Sequence, residues 1–88
     1  YSPEALNKEK DRLAELYGKE RFEKAEKYAE IVFKGNDIQV IEDIIKKIEE
    51  YGLDEVDSAF KIVAEKASDN PKRSYSYVIG ALRKKSKE

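Results

Sequence analysis

Cysteine, histidine, methionine and tryptophan are absent from these 88 residues. Without cysteine there is no disulfide and no thiol chemistry. Without cysteine or histidine the usual zinc sites and the Ser-His and Cys-His nucleophiles are excluded. Glycine is scarce and dispersed, at Gly18, Gly35, Gly52 and Gly80, so no glycine-rich phosphate loop exists. Long apolar runs are missing as well, which excludes a membrane-spanning segment. No charged-then-apolar signal segment opens the chain, and a cytoplasmic setting is the expectation.

What is present in quantity is charge. Charged residues make up 42% of the chain and hydrophobic ones 40%, a split that suits amphipathic helices rather than a disordered polymer. Carboxylates cluster at Glu42-Asp43, at Glu49-Glu50 and at Asp54-Glu55-Asp57. Acids near helix starts meet the helix dipole favourably, and Glu42 with Lys46 has the spacing of an exposed i,i+4 pair. Those placements account for the clusters without a metal or an acid–base catalyst. Tyr75 or Tyr77 as a nucleophile would need an acid–base partner, and no histidine exists. The expectation is therefore no enzyme, no cofactor and no metal.

Helix punctuation divides the chain into five segments. Ser2-Pro3 reads as a cap followed by a first-turn proline. Leu6, Leu13, Leu16 and Tyr17 follow at helical spacing, and Gly18 stops the helix. A second helix fits Lys19 to about Lys34, with Phe22, Ala25, Ala29, Val32 and Phe33 as its stripe and Gly35 as its end. Asn36 with Gln39 offers a capping box for a third, whose Ile38, Ile41, Ile44, Ile45 and Ile48 form one face ending at Gly52. Asp54 caps a fourth, with Val56, Ala59, Phe60, Val63 and Ala67 on one side. "SDNP" breaks the chain, and Ser74 caps a last helix with Tyr75, Val78, Ile79 and Leu82 inward. The fold class is all-α, a bundle of about five short helices forming one domain over residues 1–88, with a helical hairpin at 1–35. "YGKERFEKAEKYAE" and "YGLDEVDSAFKIVA" echo each other at an offset of 34 residues. A single tetratricopeptide unit has that length, but its other positions are unmet. The echo reads as two helix-turn-helix joints built alike.

Charge is unevenly spread. Residues 1–71 carry 12 Lys/Arg against 18 Asp/Glu, a net −6, whereas residues 72–88 carry six against one, a net +5. The closing "NPKRSYSYVIGALRKKSKE" sets Lys72, Arg73, Arg83, Lys84, Lys85 and Lys87 around Tyr75 and Tyr77. Aromatic rings stack on bases and neighbouring cations meet phosphates, which makes these eight residues the candidate DNA-binding set. The helix start at "NPKRS" also offers backbone N–H groups and two cations to a phosphate. Gly80 inside a helix costs about 1 kcal/mol against alanine, so close approach of either another helix or a phosphate backbone is expected there.

Residues 38–85 resemble the C-terminal domain of the DnaD/DnaB-like family of replication-initiation and primosome proteins. The resemblance lies in "IIKKIEEYGLDEV", in "SAFKIVAEKA" and in "YSYVIGALRKK", the last being similar to that family's Tyr-Ile-x-x-Ile-Leu-x-x-Trp close. Tyr77, Val78 and Leu82 take the motif's tyrosine, first aliphatic and leucine. Ala81 stands in place of isoleucine, and Lys85 in place of tryptophan. The resemblance implies a helical, non-catalytic accessory domain that binds DNA, single- or double-stranded, and meets replication proteins such as a helicase or its loader. The alternative is a protein–protein interaction module without nucleic-acid binding, with Phe33, Val40 and Tyr51 as contacts if they face solvent.

Overall fold

A computed structural model describes residues 2–86, with side chains as far as Lys84. Five helices follow one another: α1 Pro3–Tyr17, α2 Lys19–Ile31, α3 Ile38–Tyr51, α4 Leu53–Ala64 and α5 Tyr75–Ser86. The expected all-α bundle is what forms, with no strand among the described residues. Ser2 caps α1 as its sequence predicts, its Oγ accepting from the Ala5 N–H at 3.2 Å. None of the described helices is long and apolar enough to cross a membrane.

The central element is α3, which packs on α1, α2 and α4. Its five isoleucines at 38, 41, 44, 45 and 48 are all buried. Their three- and four-residue steps put them on one face, and each buried isoleucine contributes roughly 1.5–3 kcal/mol by leaving water. That burial outweighs the modest helix penalty of β-branched side chains. Leu13, Phe22, Ala25, Ala29, Val32, Val56, Ala59, Phe60, Val63, Val78 and Leu82 complete the core.

The two glycine joints are built alike. Gly18 and Gly52 alone separate their flanking helices, at φ 98° ψ 138° and φ 92° ψ 151°. Each glycine N–H closes the helix before it, onto Ala14 and Ile48, both at 2.9 Å. Each glycine carbonyl opens the helix after it, accepting from Phe22 at 3.0 Å and Val56 at 3.2 Å. The sequence echo is thus two copies of one backbone turn.

Several expected boundaries shift. α3 is capped by Asp37, which accepts from the Val40 N–H at 3.2 Å, because the Asn36 side chain is taken by Lys10 at 3.2 Å. α4 starts directly from Gly52 with no side-chain cap, so Asp54 lies within its first turn rather than ahead of it. α4 also ends at Ala64, which leaves Ala67 outside the helix and exposed. α2 ends at Ile31, before Gly35. Phe33 takes φ 62° there, while the Phe33 and Lys34 N–H groups bond to Glu30 and Ala29 at 3.0 and 2.9 Å. This is a Schellman termination with phenylalanine at a position that favours glycine. Glu42 does not pair with Lys46; it accepts from the Tyr17 hydroxyl at 2.8 Å, which ties α1 to α3.

Candidate nucleic-acid interface

The approach to α5 is a tight turn. The Asn70 side chain accepts from the Lys72 N–H at 2.9 Å, and its carbonyl accepts from the Arg73 N–H at 2.9 Å. Asparagine followed by proline is suited to both bonds. Ser74 then caps α5, with Oγ 3.3 Å from the Tyr77 nitrogen. The N–H groups of Lys72, Arg73 and Tyr77 are therefore taken, and the open phosphate cradle expected at "NPKRS" does not form from them.

The eight residues that charge and aromaticity select do not all face one way. Arg73 turns inward. Its Nε donates to the Ile31 carbonyl at 2.8 Å and its Nη1 to the Lys66 carbonyl at 3.1 Å. Those carbonyls lie at or just beyond the ends of α2 and α4, where helix geometry leaves acceptors without partners. The Arg73 guanidinium also lies over the Phe33 ring, 5.0 Å from its centroid. Its cation thus supplies the C-terminal end of α2, whose own last turn holds no basic residue. Phe33 keeps its left-handed backbone in contact with that cation.

Tyr75 also turns inward. Its hydroxyl donates to the Asp43 carboxylate, and its ring stacks on Phe60 with centroids 6.4 Å apart. Phe60 stacks in turn on Tyr28 at 5.0 Å, and Tyr28 donates to Asp57 at 2.8 Å. Lys61 first and Tyr28 second hold the Asp57 carboxyl below its ordinary value. Burial, then the bond to Asp57, pushes the Tyr28 phenol up to about 12. Burial and then Asp43 raise Tyr75 well above the usual phenol range. A phenol whose folded-state pKa is raised contributes stability that is complete below its unfolded pKa and lost as pH climbs through the folded one. For Tyr28 that window runs from pH 10 to about 12. Urea midpoints should hold steady up to its lower edge and fall above it. Tyrosinate absorbance from Tyr28 and Tyr75 should appear only as the chain unfolds. If all six tyrosines titrate together with the fold intact, the inward bonds are not there.

The outward set is smaller. Tyr77 is 36% exposed, and Lys72 Nζ sits 6.0 Å from the centre of its ring. Arg83 and Lys84 are exposed as well, about two turns further along α5. Among the described residues neither Lys72 nor Lys84 forms an ion pair. Lys85 belongs to α5 by its backbone, but its side chain lies outside the described residues, as does Lys87. A Cβ built on Gly80 would meet no atom within 4 Å. Among the described residues no neighbouring helix explains that glycine.

The other candidate contacts divide similarly. Phe33 is 59% exposed, whereas Val40 and Tyr51 are half-buried against the core. Leu16 is open at 62%. A cleft of about 550 Å³ opens beside Gly18, with Tyr17, Arg21, Ile48 and Leu53 among its walls. Among the described residues no group of acids is placed to hold a metal ion. Sequence periodicity had no means of finding the Arg73–Phe33 contact, because the partners lie 40 positions apart on different elements. No protein-family model, no curated protein and no solved structure matches this chain.

Proposed function

We propose that this chain is a non-catalytic DNA-binding accessory domain of the replication-initiation or primosome type. Binding runs through the outer side of α5 and its approach. The observation that carries the reading is the joint exposure of Lys72, Tyr77, Arg83 and Lys84, with no acidic residue between Lys72 and Ser86. A ring with a cation beside it can stack on a base while the neighbouring lysine meets a phosphate. The resemblance of residues 38–85 to DnaD/DnaB-like C-terminal domains supports the replication setting and suggests a helicase or its loader as a companion. Arg73 and Tyr75 support binding indirectly, by fixing where α5 begins.

The test is titration of labelled single- and double-stranded oligonucleotides at several salt concentrations. Affinity should fall as salt rises. Lys72→Ala combined with Lys84→Ala should flatten the logarithmic salt slope by about 2, roughly one for each phosphate left without its lysine. Salt-independent binding, or none, removes the reading. A protein–protein module is the second reading, favoured by the exposure of Leu16 and Phe33. On that reading Leu16→Ala or Phe33→Ala weakens capture of a replication partner, and the lysine variants do not.

A further inference from the structure

The glycine inside α5 has no explanation among the described residues. Gly80 is not at positive φ, so its backbone would accept any L-residue. The space a Cβ would fill is open, so no neighbouring helix demands its absence. An interior helix glycine is unfavourable relative to alanine, and it is the residue that lets another backbone come close. Its surroundings indicate what comes close. Ser76 and Tyr77 lie four and three residues before it, Arg83 and Lys84 three and four after, and all four are exposed. Residues at those spacings are neighbours on a helix surface, with Cβ atoms about 5–6 Å apart. Gly80 is therefore a gap in a solvent-facing wall that has a ring on one side and cations on the other.

We propose that this gap is the point of closest approach for a nucleic-acid backbone, with one phosphodiester lying against bare helix between Tyr77 and Lys84. The proposal rests on the DNA-binding reading above and adds a residue to it that carries neither charge nor ring. Cations on one flank, Lys72 beside the ring on the other, and the absence of any acid in the sequence of α5 favour a polyanion over an apolar partner helix. A methyl group at position 80 would hold the strand away from the helix and lengthen the contacts made by its neighbours.

Gly80→Ala and Gly80→Gln separate folding from binding, because each should improve the helix. Both are expected to raise Tm, by about 4–8 °C for a gain near that of the alanine replacement. Both are expected to weaken oligonucleotide binding, Gly80→Gln by about tenfold or more. Single- and double-stranded probes run in parallel show which form uses the gap. If Gly80→Gln binds like the parent while Lys72→Ala with Lys84→Ala loses affinity, the gap is unused and the basic helix still binds DNA. If Gly80→Gln leaves DNA binding intact but dissociates a dimer in sedimentation, the close approach belongs to a second copy of the chain and the proposal is overturned. If the parent protein binds no oligonucleotide, the underlying reading fails, and this inference with it.

Discussion

Phe60→Ala should cost about 3–5 kcal/mol, the range for truncating a buried aromatic. At roughly 0.05–0.15 kcal/mol per residue, a chain of 88 residues has only about 4–13 kcal/mol of stability in all. The variant should therefore lose at least about a quarter of that stability, and all of it at the lower end of the range. Phe60 is 1% exposed and stacks between Tyr28 of α2 and Tyr75 of α5. Its removal takes away the middle of a three-ring stack and leaves two hydroxyls, bonded to Asp57 and Asp43, with nothing to hold their rings apart. α5 should suffer first, because α4 is its main support. Urea denaturation gives the total loss, and amide exchange along α5 shows where it begins. Leu16→Ala is the control: at 62% exposure it should change stability by no more than about 0.5 kcal/mol. A Phe60→Ala chain as stable as the Leu16→Ala one would contradict the stack.

The joints provide the second large effect. Gly18→Ala and Gly52→Ala should each cost about 1–3 kcal/mol, the range for a side chain forced into a backbone region that L-residues avoid. Neither added Cβ would meet an atom within 4 Å, so the penalty is one of dihedral angle and not of crowding. One consequence separates those causes: serine and alanine should be about equally harmful at either joint. If L-alanine proves harmless at Gly52, the joint does not hold the φ of 92° described for it.

The helices were readable where a local rule decides them. Ser2, Gly18 and Gly52 act as the sequence says, because capping and positive φ depend on nearest neighbours alone. Rules failed where a remote side chain intervened. Asn36 lost its capping role to Asp37 because Lys10 of α1 occupies its oxygen. α2 ends at Ile31 with Phe33, not Gly35, in the left-handed position after it, and there Arg73, arriving from far along the chain, covers the ring. The candidate interface shows the same division. Helical period places Tyr77 outward and Val78 and Leu82 inward correctly. Adjacent positions 72 and 73 look equivalent by charge, yet one cation faces solvent and the other is bound to two carbonyls. Composition counts both and cannot separate them.

Arg73 also links two regions that the sequence keeps apart. The carbonyl it takes at Ile31 and the ring it covers at Phe33 both belong to the end of the first hairpin. That hairpin precedes residues 38–85, for which the DNA-binding role is proposed above. It nonetheless anchors the approach to the basic helix, whose body rests on α4. A fragment beginning at Ile38 would lose that anchor and, with Leu13, Phe22, Ala25 and Ala29, the cover of the α3 isoleucines.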